Sequence, residues 1–146
     1  MLKEQVLKLN DELEMAIESL NCGGCGIFAY VMYNRLRELG YAPHIMVFDD
    51  CSSLDVKKYN ITRCLSNNAF VPGELSSQHF AIMCDGLIFD GYECHTDIKD
   101  FDYRFIGEYC LSELRLALDK GGWNDTYDIE QTPLLIEIIY KHIVKI

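Results

Sequence analysis

The dipeptide Asp85-Gly86 limits what this chain can fold into more than any other feature. It lies between two apolar runs, Phe80-Ala-Ile-Met-Cys84 and Leu87-Ile-Phe89, and Asp-Gly in that setting is the strongest short-range signal for a two-residue hairpin. Such a turn sets the register: Cys84 faces Leu87, Ile82 faces Phe89 and Ala81 faces Asp90. Strand side chains alternate, so Phe80, Ile82, Cys84, Leu87 and Phe89 share one face while His79, Ala81, Met83, Ile88 and Asp90 share the other. His79 and Asp90 become diagonal neighbours, with Cα atoms about 7 Å apart or less, within reach for an imidazole and a carboxylate.

A second stretch, residues 21–39, is a glycine-rich turn running into a helix. Gly23, Gly24 and Gly26 give the backbone freedom for a tight approach, and Cys25 falls where the helix begins. The unpaired N–H groups and the positive dipole end at a helix N-terminus favour a thiolate, and thiols in such settings titrate at about 3.5 to 7.5 rather than about 8.5. Cys25 is therefore the candidate nucleophile. Phe28, Ala29, Met32, Leu36 and Leu39 recur on one helical face, and Ile27, Tyr30 and Val31 make the first turns apolar nearly all round. This helix enters the core at its cysteine end and surfaces near Gly40 and Pro43, which stop it.

A chain of 146 residues, nearly half apolar, is about one domain and buries a full core without staples. Its net charge of -10 and pI of about 4.7 argue against nucleic acid or an anionic membrane as partner, since both demand clustered Lys and Arg. No apolar run approaches the roughly 18 residues of a membrane span, and the first residues form an amphipathic helix rather than a signal peptide. Seven cysteines, an odd set, suit reduced thiols and a cytoplasmic location.

Around these two stretches the expected elements are helical or irregular. Val6, Leu9, Leu13, Ala16, Ile17 and Leu20 form one face of a first helix packed on the outside of the domain. Residues 44–48 read as a buried strand. Residues 50–78 are weakly periodic, with a short helix from Ser52 to Tyr59, and a connection of that length suits a lid or substrate loop. Residues 94–102 read as loop. Ile106, Cys110, Leu114, Ala117 and Leu118 predict a helix ending near Gly121-Gly122, and Trp123 follows in a loop as an apolar plug. Thr132-Pro133 starts a last helix carrying Leu135, Ile138, Ile139, Ile143 and Ile146. His44 and His142 sit where neither has a catalytic use.

The order Cys, His, acid has a chemical meaning. In nucleophilic catalysis by cysteine, a histidine takes the thiol proton and later gives it to the leaving group, while a carboxylate holds the imidazole tautomer and stabilises its cation. Cys25, His79 and Asp90 fill those roles. The run Cys22-Gly-Gly-Cys25-Gly-Ile-Phe-Ala29 resembles the signature of the papain-like cysteine peptidase superfamily, taken broadly to include transglutaminase-like and NlpC-like members. The run from His79 to Asp90 is similar to the strand, turn, strand unit of the transglutaminase-like proteins. The resemblance covers residues 22–93 and implies an α+β papain-like fold: a central helix with its N-terminal cysteine packed on a small antiparallel sheet, flanking helices, and a helical C-terminal part over 104–146. It also implies a cysteine hydrolase, peptidase or amidase, acting on a peptide or other amide through an acyl-enzyme. The glutamine that supplies an oxyanion donor in papain itself has no counterpart before Cys25, which leaves Asn21 and Gln78 as oxyanion or substrate candidates.

Two other readings stand beside this one. An interaction protein that kept the fold and lost the chemistry would bind a protein partner. Cys22 and Cys25 also form a Cys-x-x-Cys, suited to redox chemistry or half a zinc site. The motif lacks the preceding strand of a redox fold and two spaced further ligands, so no metal and no cofactor are expected.

Overall fold

A computed structural model describes residues 1–21, 24–49, 78–101, 103–120 and 128–146. The expected helix from Ser52 to Tyr59, the rest of the 50–77 connection, Cys22 and the Trp123 loop lie outside the described residues. Within them the chain is α+β, with four helices and a five-stranded antiparallel sheet. The helices are α1 (Leu2–Ala16), α2 (Cys25–Glu38), α3 (Leu111–Lys120) and α4 (Thr132–His142). The strands are β1 (His44–Asp49), β2 (Gln78–Cys84), β3 (Leu87–Phe89), β4 (Cys94–His95) and β5 (Arg104–Tyr109), in the order β4-β3-β2-β1-β5.

The Asp85-Gly86 turn forms as its residues dictate. Asp85 takes φ 54° and Gly86 φ 77°, the paired positive angles of a type I′ turn, and Cys84 pairs with Leu87 and Ile82 with Phe89. The ladder ends at Phe89, so Asp90 stands just past the strand rather than opposite Ala81. Both expected faces are present. Phe80, Ile82, Cys84, Leu87 and Phe89 join Ile45, Val47 and the helices in the main core, while Ala81 and Ile88 join Met46, Phe48 and Phe101 in a second cluster.

Helix α2 lies against β2 and is flanked by α3 and α4. Its far end closes as Gly40 requires: at φ 91°, Gly40 N–H bonds Arg37 O and Tyr41 N–H bonds Leu36 O, both at 3.0 Å, the paired bonds of a Schellman stop. Helix α1 packs on α4 and reaches β4. Leu2, Val6, Leu9 and Leu13 are buried along it, and Ile17 and Leu20 continue the buried row after the helix has ended at Ala16.

Further expectations need correction, among them that the last helix reaches Ile146, since α4 ends at His142. Residues 104–109 are a strand, not the start of a helix, so the C-terminal part is not wholly helical. Ile106 and Cys110 do match a helical spacing, but Tyr103, Phe105, Ile106 and Tyr109 are strand formers, and β1 offers its free edge. Pairing with β1, interrupted by a bulge after Val47, overrides the weak period. The helix starts only at Leu111, where Glu113 Oε1 accepts the Cys110 N–H at 2.9 Å. Residues 94–102, read as loop, contain the short strand β4 and a 3-10 turn over Ile98–Asp100.

Leu13 tests how far the α1 face is integrated into the core. Its side chain is fully buried, so Leu13→Ala should cost about 2–5 kcal/mol in urea unfolding. A helix merely resting on the surface would lose well under half of that.

Candidate active site

The local sequence explains where each of the three residues stands. Gly24 is the N-cap of α2 and Cys25 its first residue, and the approach is turned by Gly24 N–H donating to Leu20 O at 2.8 Å. His79 is the second residue of β2, and Asp90 begins the turn that follows β3. The structure brings them together. His79 Nε2 lies 2.7 Å from Asp90 Oδ2, and the Cys25 thiol hydrogen-bonds the same imidazole. With Nε2 engaged by the carboxylate, Nδ1 is the ring nitrogen left for sulfur.

The Asp90 carboxylate is fully buried and fully engaged. Oδ1 accepts the backbone N–H groups of Tyr92 and Glu93, each at 2.8 Å. Oδ2 accepts from His79 and, at 3.2 Å, from the Asn21 amide Nδ2. The backbone of Asp90 is also held: its N–H donates to Glu93 O at 3.0 Å, and its carbonyl accepts Asn10 Nδ2 at 2.9 Å.

Four contacts tie the lead-in to Cys25 onto this turn. The Tyr92 hydroxyl donates to Ile17 O and accepts from Leu20 N–H, both at 2.8 Å. Gly91 lies so close to Leu20 that a Cβ there would collide with Leu20 Cδ2. Asn21 closes the set through Asp90.

Burial of His79 disfavours its cation, yet hydrogen bonds to Asp90 and Cys25, and the charges of both, outweigh it and push the imidazole from 6.5 up to about 10. Tyr103 stacks on the ring, centroids 4.0 Å apart and planes 16° from parallel, a favourable face for a cation. Phe48 lies 6.4 Å away on a tilted plane. Cys25 and His79 are each 2 % exposed and Asp90 0 %, so the sulfur is closed off from solvent in this conformation.

Of the five candidates named from sequence, Cys25, His79 and Asp90 converge, and Asn21 joins them through the carboxylate. Gln78 is placed only as the first residue of β2, paired with Asp49. Cys22, the other half of the Cys-x-x-Cys, lies outside the described residues. Among the described residues no group of three or more His, Cys, Asp or Glu is arranged to hold a metal, and no helix is long and apolar enough to cross a membrane. His44 and His142 pair with Glu108 at 2.6 Å and Glu12 at 2.8 Å, away from the three.

Sequence reasoning missed Asn10, Tyr92 and Tyr103. Asn10 had a signal: it shares the buried face of α1 with Val6 and Leu13, and a polar side chain in an apolar row needs a partner inside. Tyr92 and Tyr103 carried none, because their contacts lie 72 residues or so away or across strands.

Comparison with protein-family models, with curated proteins and with solved structures finds no match for this chain.

The raised imidazole makes stability depend on pH in a stated direction. A group whose folded value lies above its unfolded one stabilises fully below about pH 6.5 and loses that contribution as pH climbs to about 10. In urea unfolding, the advantage of the wild type over His79→Leu should shrink across that window by something on the order of a few kcal/mol. A pH-independent difference would mean that the ring is not held as a cation.

Proposed function

We propose that this protein is a cysteine hydrolase, peptidase or amidase, of papain-like arrangement, with Cys25 as nucleophile, His79 as general acid and base, and Asp90 as the residue that orients and charges the imidazole. The observation that carries it is the meeting of the thiol at the start of α2 with the His79 imidazole, whose Nε2 lies 2.7 Å from a buried carboxylate. None of the three residues is adjacent to another in sequence, and each stands in the role its chemistry suits.

The steps follow from the charges. A cysteine beside an imidazolium and at a helix N-terminus reacts as its thiolate. The sulfur attacks an amide carbonyl, and the tetrahedral intermediate collapses as His79 gives its proton to the departing amine, leaving a thioester. Acylation also removes the thiolate, one of the causes that hold His79 up. The neutral ring then takes a proton from water as the water attacks the thioester, and collapse of that second intermediate frees the acid, expels the sulfur as thiolate and restores the thiolate and imidazolium pair. Asp90 keeps its place against the ring throughout, held by its two backbone donors. The Cys25 backbone N–H, first in the helix, is the natural donor to the developing oxyanion.

A second reading rests on one observation, the closure of the site. With Cys25 at 2 % exposure, an interaction protein that keeps the three residues as a buried polar network accounts for the same geometry without turnover.

Limited alkylation separates the two. With substoichiometric iodoacetamide near pH 6, mass spectrometry should find Cys25 modified at least about tenfold faster than the other thiols, and His79→Ala should erase that preference. Labelling spread over the seven cysteines and indifferent to His79→Ala would leave only the binding reading.

A further inference from the structure

We infer that Asn21 is a positioning residue, which ties the lead-in of the nucleophile to the orienting carboxylate by sharing Asp90 Oδ2 with His79. The inference deepens the proposed hydrolase reading and rests on it for the role of Cys25. Its geometry stands independently.

Asn21 is four residues ahead of Cys25, and its Nδ2 lies 3.2 Å from the oxygen that His79 Nε2 approaches at 2.7 Å. Its own Oδ1 is buried with no hydrogen-bond partner among the described residues. The amide is thus oriented by its donor end alone, and turning it over would set Oδ1 against a carboxylate. One of the two Nδ2 hydrogens is committed to Asp90, and that contact is a positioning one. Asn21 also ends the segment that Tyr92 and Gly91 hold. Through that one amide the chain entering α2 is registered directly to the carboxylate, rather than only to the turn that carries it.

The sharing has an electrical consequence. A donor on Oδ2 draws off part of the carboxylate charge, and it bonds more strongly when His79 is neutral than when His79 is a cation competing for the same oxygen. Asn21 therefore restrains the imidazolium as well as placing the acid. The other titratable groups bearing on the pair are Cys25 on α2, Tyr103 ahead of β5 and Cys94 on β4. A substitution at position 21 removes none of these groups.

The test follows the His79 ring by its 13C resonance in the full-length protein, beside the rate of Cys25 alkylation. In Asn21→Ala the His79 midpoint should rise by about half a unit to one unit, because the released oxygen holds the imidazolium more firmly. Cys25 alkylation near pH 6 should slow by about three- to tenfold as the lead-in loses its tether. Asn21→Gln, which keeps a donor, should recover most of both effects. In the unsubstituted protein the Asn21 amide 13C resonance should move with the His79 titration, a measurement that holds even if Asn21→Ala fails to fold. An unchanged His79 midpoint in a folded Asn21→Ala, or an Asn21 resonance indifferent to His79, would overturn the assignment. Neither magnetic-resonance result requires Cys25 to be reactive, so failure of the hydrolase reading and failure of this inference are seen separately.

Discussion

A carboxylate buried without partners would be costly enough to protonate or to unfold its surroundings, and Asp90 avoids this with four donors drawn from separate parts of the chain. Two come from the backbone of its own turn, one from β2 through His79, and one from the lead-in to α2 through Asn21. Asn10 adds a fifth tie, on the Asp90 carbonyl, from α1. The charge therefore acts as a constraint on tertiary structure. Satisfying it fixes where the start of α2 stands relative to the hairpin, and so where the sulfur stands relative to the imidazole.

The same arrangement sets the electrostatics. An imidazole buried between apolar and aromatic neighbours would be neutral by default, and Asp90 and Cys25 reverse that preference. Tyr103 stacks on the ring and Phe48 lies near it, while Asp90 holds its edge. A closed site strengthens each of these interactions, because fewer water dipoles screen them. Closure serves a hydrolase only if the sulfur can be uncovered, whereas a binding domain needs no opening. Thiol reactivity is thus the property on which the two functions differ.

Much of this was legible in local sequence. The Asp85-Gly86 turn leaves one plausible register, and a two-residue connection allows no slip without exchanging the faces of both strands. The start of α2 was legible because Gly24 and Cys25 precede an apolar helix, and its end because Gly40 and Pro43 follow. The strand at 104–109 was not, since Ile106 and Cys110 fit a helical spacing over a short window, and only the unpaired edge of β1 decides between the two. Asn21 was readable as a polar residue near Cys25, yet its particular partner was not.

By itself the sequence determined the hairpin, the amphipathic faces, the thiol at a helix start and the order of cysteine, histidine and aspartate, all of which follow from spacings of a few residues and backbone preferences of single ones. Tertiary structure alone decided that Cys25 meets His79, that Asn10 and Asn21 converge on Asp90, and that Tyr103 covers the ring. Those pairings join segments tens of residues apart, and they are selected by the requirement that a buried charge and its donors be satisfied together, a condition that no short window of sequence contains.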